Sequence, residues 1–401
     1  MKTSYDIMVV GGGPIGSNIA ASLSQKGYDV VVIEQKKEIG IPLQCAGLVS
    51  KRVFNLVDTP LEAVMQNKLY GAYLHSPRGR MVQIGDDKPH AFAIDRITFD
   101  RRLAEQAQER GAEYLLNTRA YNIKRKDNAV EIQVKQGNET VNITSKLLIG
   151  ADGARSTVRK TLNFPQPQET LLGVGAEVEH VYLDPKFVHV FLGRRIAPGF
   201  FAWIIPISKD GTKARIGLCS TKPLSKTLKS YFHSLFNYPS TQPFLEQAVV
   251  TRFLGGSIPL GVLRETVADN VMLVGDAAAQ VKPLSGGGIY TGLLSSKHCT
   301  SVAEKAIEEN NLTKKRLREY HNQWTQELKR EIMFGMRVRR RYVQMDDEEI
   351  ENHFTYLEDD AILSVISQYG DIDYPSRLLF PLIRGSPKLL RLLPKFIHLF
   401  L

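Results

Sequence analysis

Cysteine is scarce in this sequence of 401 residues. The three cysteines, Cys45, Cys219 and Cys299, are far apart, and none belongs to a CxxC pair. A disulfide framework, a zinc knuckle and a self-contained four-cysteine iron–sulfur cluster are therefore excluded, and we predict no metal site. An odd, dispersed set of cysteines is typical of a reducing, intracellular compartment.

Long apolar runs are missing as well. No stretch of about 18 uncharged apolar residues occurs, which argues against a membrane-spanning helix. The first predicted strand begins by residue 5, and no secretory leader precedes it. We therefore expect a cytoplasmic protein that meets a membrane, if at all, at its surface.

Acidic residues are outnumbered by basic ones. Lys and Arg total 52 against 42 Asp and Glu, which gives a net charge of +10. Such a surplus favours an anionic partner, such as phospholipid headgroups or an acidic carrier protein, although a diffuse surplus also serves solubility alone. The 43% hydrophobic and 23% charged residues indicate an ordinary folded protein, long enough for two or three units.

The clearest motif is a glycine loop between a predicted strand at 5–10 and a predicted helix at about 15–26. The loop matches GxGxxG and contains Gly11, Gly13, Pro14, Ile15 and Gly16. Glu34 ends the next strand. In such a βαβ unit the glycines let the backbone approach a pyrophosphate at the helix N-terminus, and the acidic residue accepts hydrogen bonds from ribose hydroxyls. The alternative is a plain glycine turn with a surface glutamate.

Two further glycine stretches each follow a predicted strand. Asp152 and Gly153 lie in the first, where a plain turn is the alternative. Asp276 lies in the second, which continues into a predicted helix at about 288–308. The residues around that helix start are Gly286, Gly287, Gly288 and Ile289. Their N–H groups would stabilise negative charge on a reduced flavin, and Asp276 would bond a ribityl chain.

In this order and spacing, the three stretches resemble the para-hydroxybenzoate-hydroxylase-type FAD-binding flavoproteins, over about residues 1–300. Four further segments resemble the geranylgeranyl reductases, in particular the archaeal digeranylgeranylglycerophospholipid reductases. They are PLQCAG at 42–47, Asp95 with Arg96, PGFFAWIIP at 198–206 with Gly217 beyond it, and GDIDYPS at 370–376. The resemblance implies that the protein binds FAD non-covalently.

The resemblance also implies which residues line the FAD. They include Ile15, Glu34, Cys45, Ala46, Gly47, Arg96, Ala120, Asp276, Gly288 and Ile289. Arg96 would reach the diphosphate or ribityl oxygens, and its alternative is an ion pair at a helix start. Cys45 would pass close to the flavin ring, or else be a small buried hydrophobe.

Three residues are candidates for catalysis, namely Cys45, Phe201 and Trp203. The family segment usually carries Tyr where this chain has Phe201. Phe cannot donate a hydrogen bond, so a role in shaping an apolar pocket remains. Trp203 is equally consistent with the core. Together with Phe191 and Phe200, the two aromatic candidates are expected to wall a dry channel.

The expected fold class is α/β, or α+β. An FAD-binding, Rossmann-like parallel-sheet domain at 1–170 and 263–330 is interleaved with an antiparallel-sheet substrate domain at 171–262, and a helical C-terminal region follows at 331–401. A helix is predicted at 98–110, with Thr98 as its cap.

The reaction that the resemblance implies is the saturation of isoprenoid double bonds in a prenylated lipid, with hydride from the flavin N5. A flavin monooxygenase or halogenase and an electron-transfer flavoprotein are the alternatives. No second GxGxxG unit marks an NAD(P)H domain. We therefore expect an external electron donor such as ferredoxin, and no nucleic-acid partner.

The C-terminal segment is basic and apolar. Residues 375–401 contain five Lys or Arg and no Asp or Glu. This pattern favours a membrane-surface element, with a packed terminal helix pair as the alternative. Upstream, Arg337 and Arg339 belong to a basic cluster that is a candidate for binding a substrate headgroup, or for pairing with the acidic residues at 346–349.

Overall fold

The structure is a computed structural model that describes residues 2–126, 128–221 and 224–385. Its strands form three sheets. In chain order the strands are β1 (Ser4–Val10), β2 (Val30–Ile33), β3 (Leu48–Val49), β4 (Met65–Leu69), β5 (Gly71–His75), β6 (Met81–Gly85), β7 (Ala91–Ile94), β8 (Glu113–Leu115), β9 (Thr118–Lys126), β10 (Ala129–Gln136), β11 (Glu139–Gly150), β12 (Glu169–Glu179), β13 (Phe187–Leu192), β14 (Phe201–Pro206), β15 (Lys213–Ser220), β16 (Val249–Leu260), β17 (Val267–Ala268) and β18 (Val271–Leu273).

The helices are α1 (Pro14–Ser24), α2 (Arg96–Glu109), α3 (Thr157–Thr161), α4 (Leu228–Ser234), α5 (Gln242–Leu245), α6 (Ile289–Glu308), α7 (Lys314–Gln344), α8 (Asp347–Leu357), α9 (Asp360–Tyr369) and α10 (Leu379–Gly385). Short 3-10 helices occupy Lys51–Asn55, Leu61–Ala63, Gly275–Ala278 and Pro375–Leu378.

The first sheet has a parallel core in the order β18-β11-β1-β2-β8. β1 lies at its centre, with Ile7 opposite Leu147 on one side and Val30 on the other. The central segments of these strands, such as 7–10, 30–33 and 147–149, are apolar because α1, α2 and α6 cover one face and the hairpin of β9 and β10 covers the other. The predicted parallel-sheet, Rossmann-like part of the fold is confirmed.

The helix predicted at 98–110 is α2, which begins at Arg96. Its N-cap is Asp95, whose carboxylate accepts from the backbone N–H groups of Ile97 and Thr98 at 3.0 and 3.2 Å. The predicted cap was therefore wrong. The Thr98 hydroxyl lies inside the helix and donates to the carboxylate of Asp95 at 2.7 Å.

The second sheet has seven strands in the order β16-β12-β15-β14-β13-β5-β6. Neighbouring strands are antiparallel except for β13 and β5. Five of the strands come from the stretch for which an antiparallel sheet was predicted, and β5 and β6 come from residues 71–85. The sheet is thus built from two separate parts of the chain, and the predicted domain boundaries at 170, 262 and 330 stay a prediction.

The C-terminal part is helical, as expected. α7 buries Trp324, Leu328 and Ile332 against the core of the first sheet. Its last turns reach the second sheet, where the hydroxyl of Tyr342 donates to the carbonyl oxygen of Phe200 at 2.7 Å. In the parts of the chain that the structure describes, no helix is both long and apolar enough to cross a membrane.

Candidate functional site

A cavity of about 1590 Å³ is lined by residues of both large sheets. Nearly all the residues predicted to hold FAD lie along it. These are Gly11, Gly13, Pro14, Ile15, Glu34, Cys45, Ala46, Gly47, Arg96, Ala120, Asp152, Gly153, Asp276, Gly286, Gly287, Gly288 and Ile289. The structure therefore brings the three glycine stretches together at one site.

Gly16 lies behind the cavity wall. A Cβ at this position would overlap the carbonyl oxygen of Gly11, so only glycine lets α1 start directly against the loop. α1 has Gly13 as its N-cap, Pro14 in its first turn and no side-chain cap. The N–H groups of the first turn are therefore available to a phosphate in the cavity.

Glu34 lies at the same end of the cavity and is 8% exposed. Its two carboxylate oxygens accept hydrogen bonds from the backbone N–H groups of Gly12 and Lys36, both at 2.8 Å. Each oxygen keeps a lone pair for a ribose hydroxyl. Glu34 thus also holds the glycine loop in shape, a role that the sequence did not indicate.

Asp152 shapes the second stretch. Its carboxylate accepts from the hydroxyl of Ser156 at 2.5 Å and from the backbone N–H groups of Thr157 and Val158 at 2.6 and 3.1 Å. Burial raises the pKa of this carboxyl, and the three hydrogen bonds oppose the rise. Asp152 therefore supports the first turn of α3, whose N-cap is Ser156, and Gly153 lines the cavity.

Arg159 joins the second stretch to the third. Its guanidinium is buried and donates to the carbonyl oxygens of Ala154 at 2.6 Å and Ala277 at 2.8 Å. Burial lowers the pKa of Arg159, against the opposing charges of Asp152 and Asp276. Sequence reasoning missed this residue because one of its partners is a backbone carbonyl 118 residues away.

Asp276, in the third stretch, turns its carboxylate to the cavity. Within the described residues, no hydrogen-bond donor reaches that carboxylate. Burial raises its pKa to about 6, although the charges of Arg96 and Arg159 oppose the rise. A carboxylate that faces the cavity without a protein donor fits a ligand that supplies hydroxyl groups, as a ribityl chain does.

A second uncapped helix start lies beside Asp276. α6 has Gly288 as its N-cap and no side-chain cap. The preceding turn is fixed by Gln280, which accepts from the N–H of Gly275 at 2.7 Å and donates to the hydroxyl of Tyr320 at 2.9 Å. This helix start suits the pyrimidine end of a flavin, because its N–H groups attract negative charge.

Arg96 lines the cavity, as expected for a residue that binds FAD. It also forms an ion pair at the start of α2, which was the alternative role predicted for it. Its Nη2 and Nε lie 2.9 and 3.1 Å from Oδ1 of Asp100, and both residues are 8% exposed. The guanidinium keeps further N–H donors for an anionic ligand.

Arg215 supports the loop of Cys45, Ala46 and Gly47 from the side of the second sheet. It is 1% exposed. Its guanidinium donates to the carbonyl oxygens of Ala46 at 3.1 Å and Ile94 at 2.8 Å and pairs with Glu177 at 2.9 Å. No local sequence signal could have found it, because its partners, which also include Gln66, belong to four separate segments.

Beyond these groups the cavity continues as an apolar channel over the second sheet. Its side chains are Leu69, Ala72, Leu74, Val188, Val190, Phe200, Phe201, Trp203 and Ile205. The rings of Phe200 and Phe201 stack at 4.2 Å, and those of Phe201 and Trp203 meet edge to face at 6.1 Å. The Nε1 of Trp203 is buried without a partner, so ring carbons line the channel.

Phe191 was expected in the same wall, and that expectation is wrong. Its ring packs near Phe244 and His75 on the opposite face of the sheet. The reason is strand geometry, since successive residues of β13 point to opposite faces and Val190 takes the channel side.

The two arginines predicted for a headgroup do not line this cavity. Arg339 is 2% exposed and is held by Glu169 at 2.6 and 2.8 Å and by the carbonyl oxygen of Gly199 at 2.7 Å. Arg337 is half-buried on the same helix. The geometry gives Arg339 a role in fixing the loop before Phe200, and headgroup binding stays a prediction.

Residues 370–378, here called the strap, form one side of the cavity, a position that the sequence analysis did not predict for them. Gly370, Asp371, Ile372, Pro375 and Leu378 line it. Tyr374 of the strap meets Tyr290 of α6, their hydroxyl groups lying 2.9 Å apart.

Comparison with known proteins agrees with this geometry. A family model described as an FAD binding domain matches residues 4–323. An uncharacterized protein of Methanocaldococcus jannaschii is 32% identical over 96% of both chains. A digeranylgeranylglycerophospholipid reductase of Methanosphaera stadtmanae is 33% identical over 80% of both chains, and one of Methanothermobacter thermautotrophicus is 30% identical over 98% of this chain and 99% of its own.

Solved structures share the fold. A geranylgeranyl bacteriochlorophyll reductase-like protein of Thermoplasma acidophilum has a TM-score of 0.84 at 22% identity, with 98% of this chain and 99% of the other covered. The halogenase PltM in complex with FAD has a TM-score of 0.70 at 16% identity, with 95% and 86% covered.

Proposed function

This chain belongs to the geranylgeranyl reductase family of FAD-binding flavoproteins, and from that premise we propose that it saturates isolated double bonds in the geranylgeranyl chains of an ether phospholipid precursor. It is a flavin-dependent reductase, and FAD is its cofactor. The proposal depends above all on one observation, that a single cavity runs from the dinucleotide-binding stretches into an apolar channel. Bound, reduced FAD supplies the hydride.

The channel side chains would bind and orient the prenyl chain. An isolated alkene has no carbonyl group to polarise, so its reduction depends on alignment in dry surroundings. Aliphatic side chains such as Leu74, Val190 and Ile205 exclude water and gain from contact with an apolar chain. The rings of Phe201 and Trp203 would hold one double bond at the FAD end of the channel.

Cys45 is the group that we propose for proton delivery. Of Cys45, Phe201 and Trp203, only the cysteine has a side-chain proton that transfers readily near neutral pH. Its thiol lines the same cavity as Arg96 and accepts from the backbone N–H of Gly47 at 3.4 Å. We expect Cys45→Ala to slow lipid reduction roughly 100-fold with FAD still bound, and Cys45→Ser to retain more activity. Equal rates in both variants and the parent would exclude this role.

The substrate would reach the channel from a membrane surface. α10 follows the strap directly, and its apolar residues Leu379, Phe380, Leu382 and Ile383 are exposed or only partly buried. Arg377 and Arg384 are exposed beside them. Apolar side chains and cations together favour binding to a lipid surface. The rest of the predicted membrane segment, 386–401, lies outside the described residues.

The electrons would come from an external donor in the cytoplasm. We propose a small acidic protein such as ferredoxin, because a net charge of +10 attracts an acidic partner at long range. Ionic strength offers a simple check, since added salt should slow reduction by ferredoxin more than reduction by dithionite.

The test of the function itself is reduction of a digeranylgeranyl lipid by the purified holoprotein, with dithionite as the reductant. Mass spectrometry of the lipid should show two hydrogens gained for each double bond reduced. The same protein without dithionite is the control. An unchanged lipid, together with rapid oxidation of the reduced protein by a quinone or by oxygen with an aromatic substrate, would replace this function with one of its rivals.

A further inference from the structure

The strap is joined to the rest of the protein through two aspartates of different character. Asp371 accepts from both Nη atoms of Arg52, each at 2.8 Å. The side chain of Arg52 is 40% exposed, so solvent screens this pair. Asp373, by contrast, has a side chain that is 0% exposed.

Asp373 is paired with a lysine that belongs to the cavity. Its Oδ1 accepts from the ammonium group of Lys282 at 2.7 Å, and its Oδ2 accepts from Arg52 at 3.1 Å. The same ammonium group donates to the carbonyl oxygen of Ile372 at 3.0 Å. Lys282 also lines the cavity. One partly buried cation therefore contacts the strap and also lines the cavity proposed for FAD and substrate.

Lys282 also packs on the loop that leads into α6. Its backbone N–H donates to Gly287 at 3.1 Å, and its carbonyl oxygen accepts from Gly286 at 2.9 Å. A Cβ at Gly287 would lie 3.0 Å from Cε and 3.4 Å from Nζ of the lysine. Since α6 starts without a side-chain cap at Gly288, the ammonium group lies beside the helix start that attracts negative charge.

We propose that Lys282 couples the docking of the strap to the redox state of bound FAD. While the strap is docked, the carboxylate of Asp373 neutralises the ammonium group. Negative charge on reduced FAD attracts the same ammonium group and repels that carboxylate, so reduction weakens the hold on the strap. By thermodynamic reciprocity, undocking of the strap favours reduced over oxidised FAD by the same factor. Lys282 and Asp373 are positioning residues, because they act through the strap.

The coupling would time the entry of substrate. Since the strap forms a side of the cavity, its release opens the channel to a lipid chain when the FAD already carries electrons. Oxidation of the FAD restores the pair of Lys282 and Asp373 and closes the channel. This consequence rests on the proposed function, whereas the electrostatic coupling needs only bound FAD.

The test is a double-mutant cycle on the midpoint potential of the holoprotein. Asp373→Asn removes the counter-charge at nearly constant shape and should shift the potential to more positive values, equivalent to roughly fivefold tighter binding of reduced relative to oxidised FAD. Lys282→Met should shift it to more negative values. In the double variant, the shift due to Asp373→Asn should vanish. Lys282→Arg, which keeps the charge, should stay near the parent value.

Hydrogen exchange of the strap amides is the second readout. Exchange should be faster in the reduced than in the oxidised parent, and equal in both states of Lys282→Met.

Asp371→Asn is the matched control, since it loosens the strap at the screened pair and should change the potential less than Asp373→Asn does. The proposal is overturned if Asp373→Asn shifts the midpoint potential equally with and without Lys282. It is also overturned if the exchange rate of the strap amides in the parent is the same in both redox states. Neither measurement uses a lipid, so a failure of prenyl reduction would leave both results decisive.

Discussion

The two ends of the cavity are lined by different parts of the chain. At the dinucleotide end, the groups available to a ligand are mainly backbone N–H groups of the glycine loop and of the uncapped starts of α1 and α6. At the channel end, they are side chains on one face of the second sheet, such as Ala72 and Ile205. A charged, hydroxyl-rich ligand needs directed N–H groups, whereas an apolar chain needs only shape and the exclusion of water.

Glu34→Ala should have the largest effect, and it tests the dinucleotide end. We expect FAD binding to weaken by roughly 1.5–3 kcal/mol, because charge-assisted hydrogen bonds to ribose are lost. Stability should also fall by about 1–3 kcal/mol, since the N–H groups of Gly12 and Lys36 lose their acceptor. Flavin fluorescence titration and thermal unfolding measure the two effects.

The matched variant is Glu34→Gln, which keeps one acceptor oxygen and should recover part of both losses. Asp276→Ala supplies the contrast within the same end of the cavity. Because no donor among the described residues reaches its carboxylate, this substitution should weaken FAD binding with little loss of stability in the absence of FAD. FAD affinities equal to the parent in all three variants would contradict the assigned roles.

Ala72→Phe tests the channel end. Ala72 lines the channel on β5, where a phenyl ring would occupy space needed by a prenyl chain. Reduction of a long-chain lipid should fall at least about tenfold, with an FAD affinity near that of the parent, since overpacking acts locally. Tyr73→Phe is the control at the next position, where the ring packs against Phe187, 4.9 Å away, on the other face of the sheet. Parallel losses of FAD and activity in Ala72→Phe would show that the two ends are not separable.

The same contrast explains which residues of the site could be predicted from the sequence. A backbone site is built from neighbours in the chain, so GxGxxG, Asp276 and the glycines before Ile289 were found from order and spacing. The residues that hold the loops of the site in place, Arg159, Arg215 and Asp373, were not predicted. Their partners lie far away in the sequence. Which of two aromatic residues faces the channel depends on strand register, and the sequence alone placed Phe191 on the wrong face.

Lowering the pH should reduce the stability of the protein through two buried histidines of the second sheet. His75 and His189 of the second sheet are buried, with Nε2 of the first 3.0 Å from Nδ1 of the second. Burial lowers their pKa values to about 4 and about 3. An unfolded histidine titrates near pH ~6.5, so the unfolded state gains protons first as the pH falls. Stability should therefore be lost between about pH 6.5 and 3, by roughly 2 kcal/mol or more for the pair after allowance for solvent screening.

Urea unfolding at several pH values measures this loss. The double variant His75→Leu/His189→Leu removes both proton-binding groups and leaves no stranded partner, so its stability should depend less on pH in that window. His298→Gln, at a partly exposed pair with Glu327, is the control and should keep the parent's profile. A profile that is unchanged in the double variant would show that other groups govern acid stability.

The smallest effect on the folded protein is expected from deletion of residues 379–401. The cut falls after Leu378 because Pro375 and Leu378 line the cavity, while Ser376 donates to Glu331 of α7. The strap therefore remains, and FAD should stay bound. Residues 379–384 of α10 are all exposed or only partly buried, so its loss should cost little stability. If its apolar side chains and the basic residues beyond it meet a bilayer, each Lys or Arg near the surface adds about 1 kcal/mol of binding. Co-sedimentation with anionic liposomes should drop sharply, and reduction of a bilayer-bound lipid should slow more than reduction of a detergent-dispersed one. Aggregation of the shortened protein with loss of FAD would instead place the segment in the core, as the terminal-helix alternative holds.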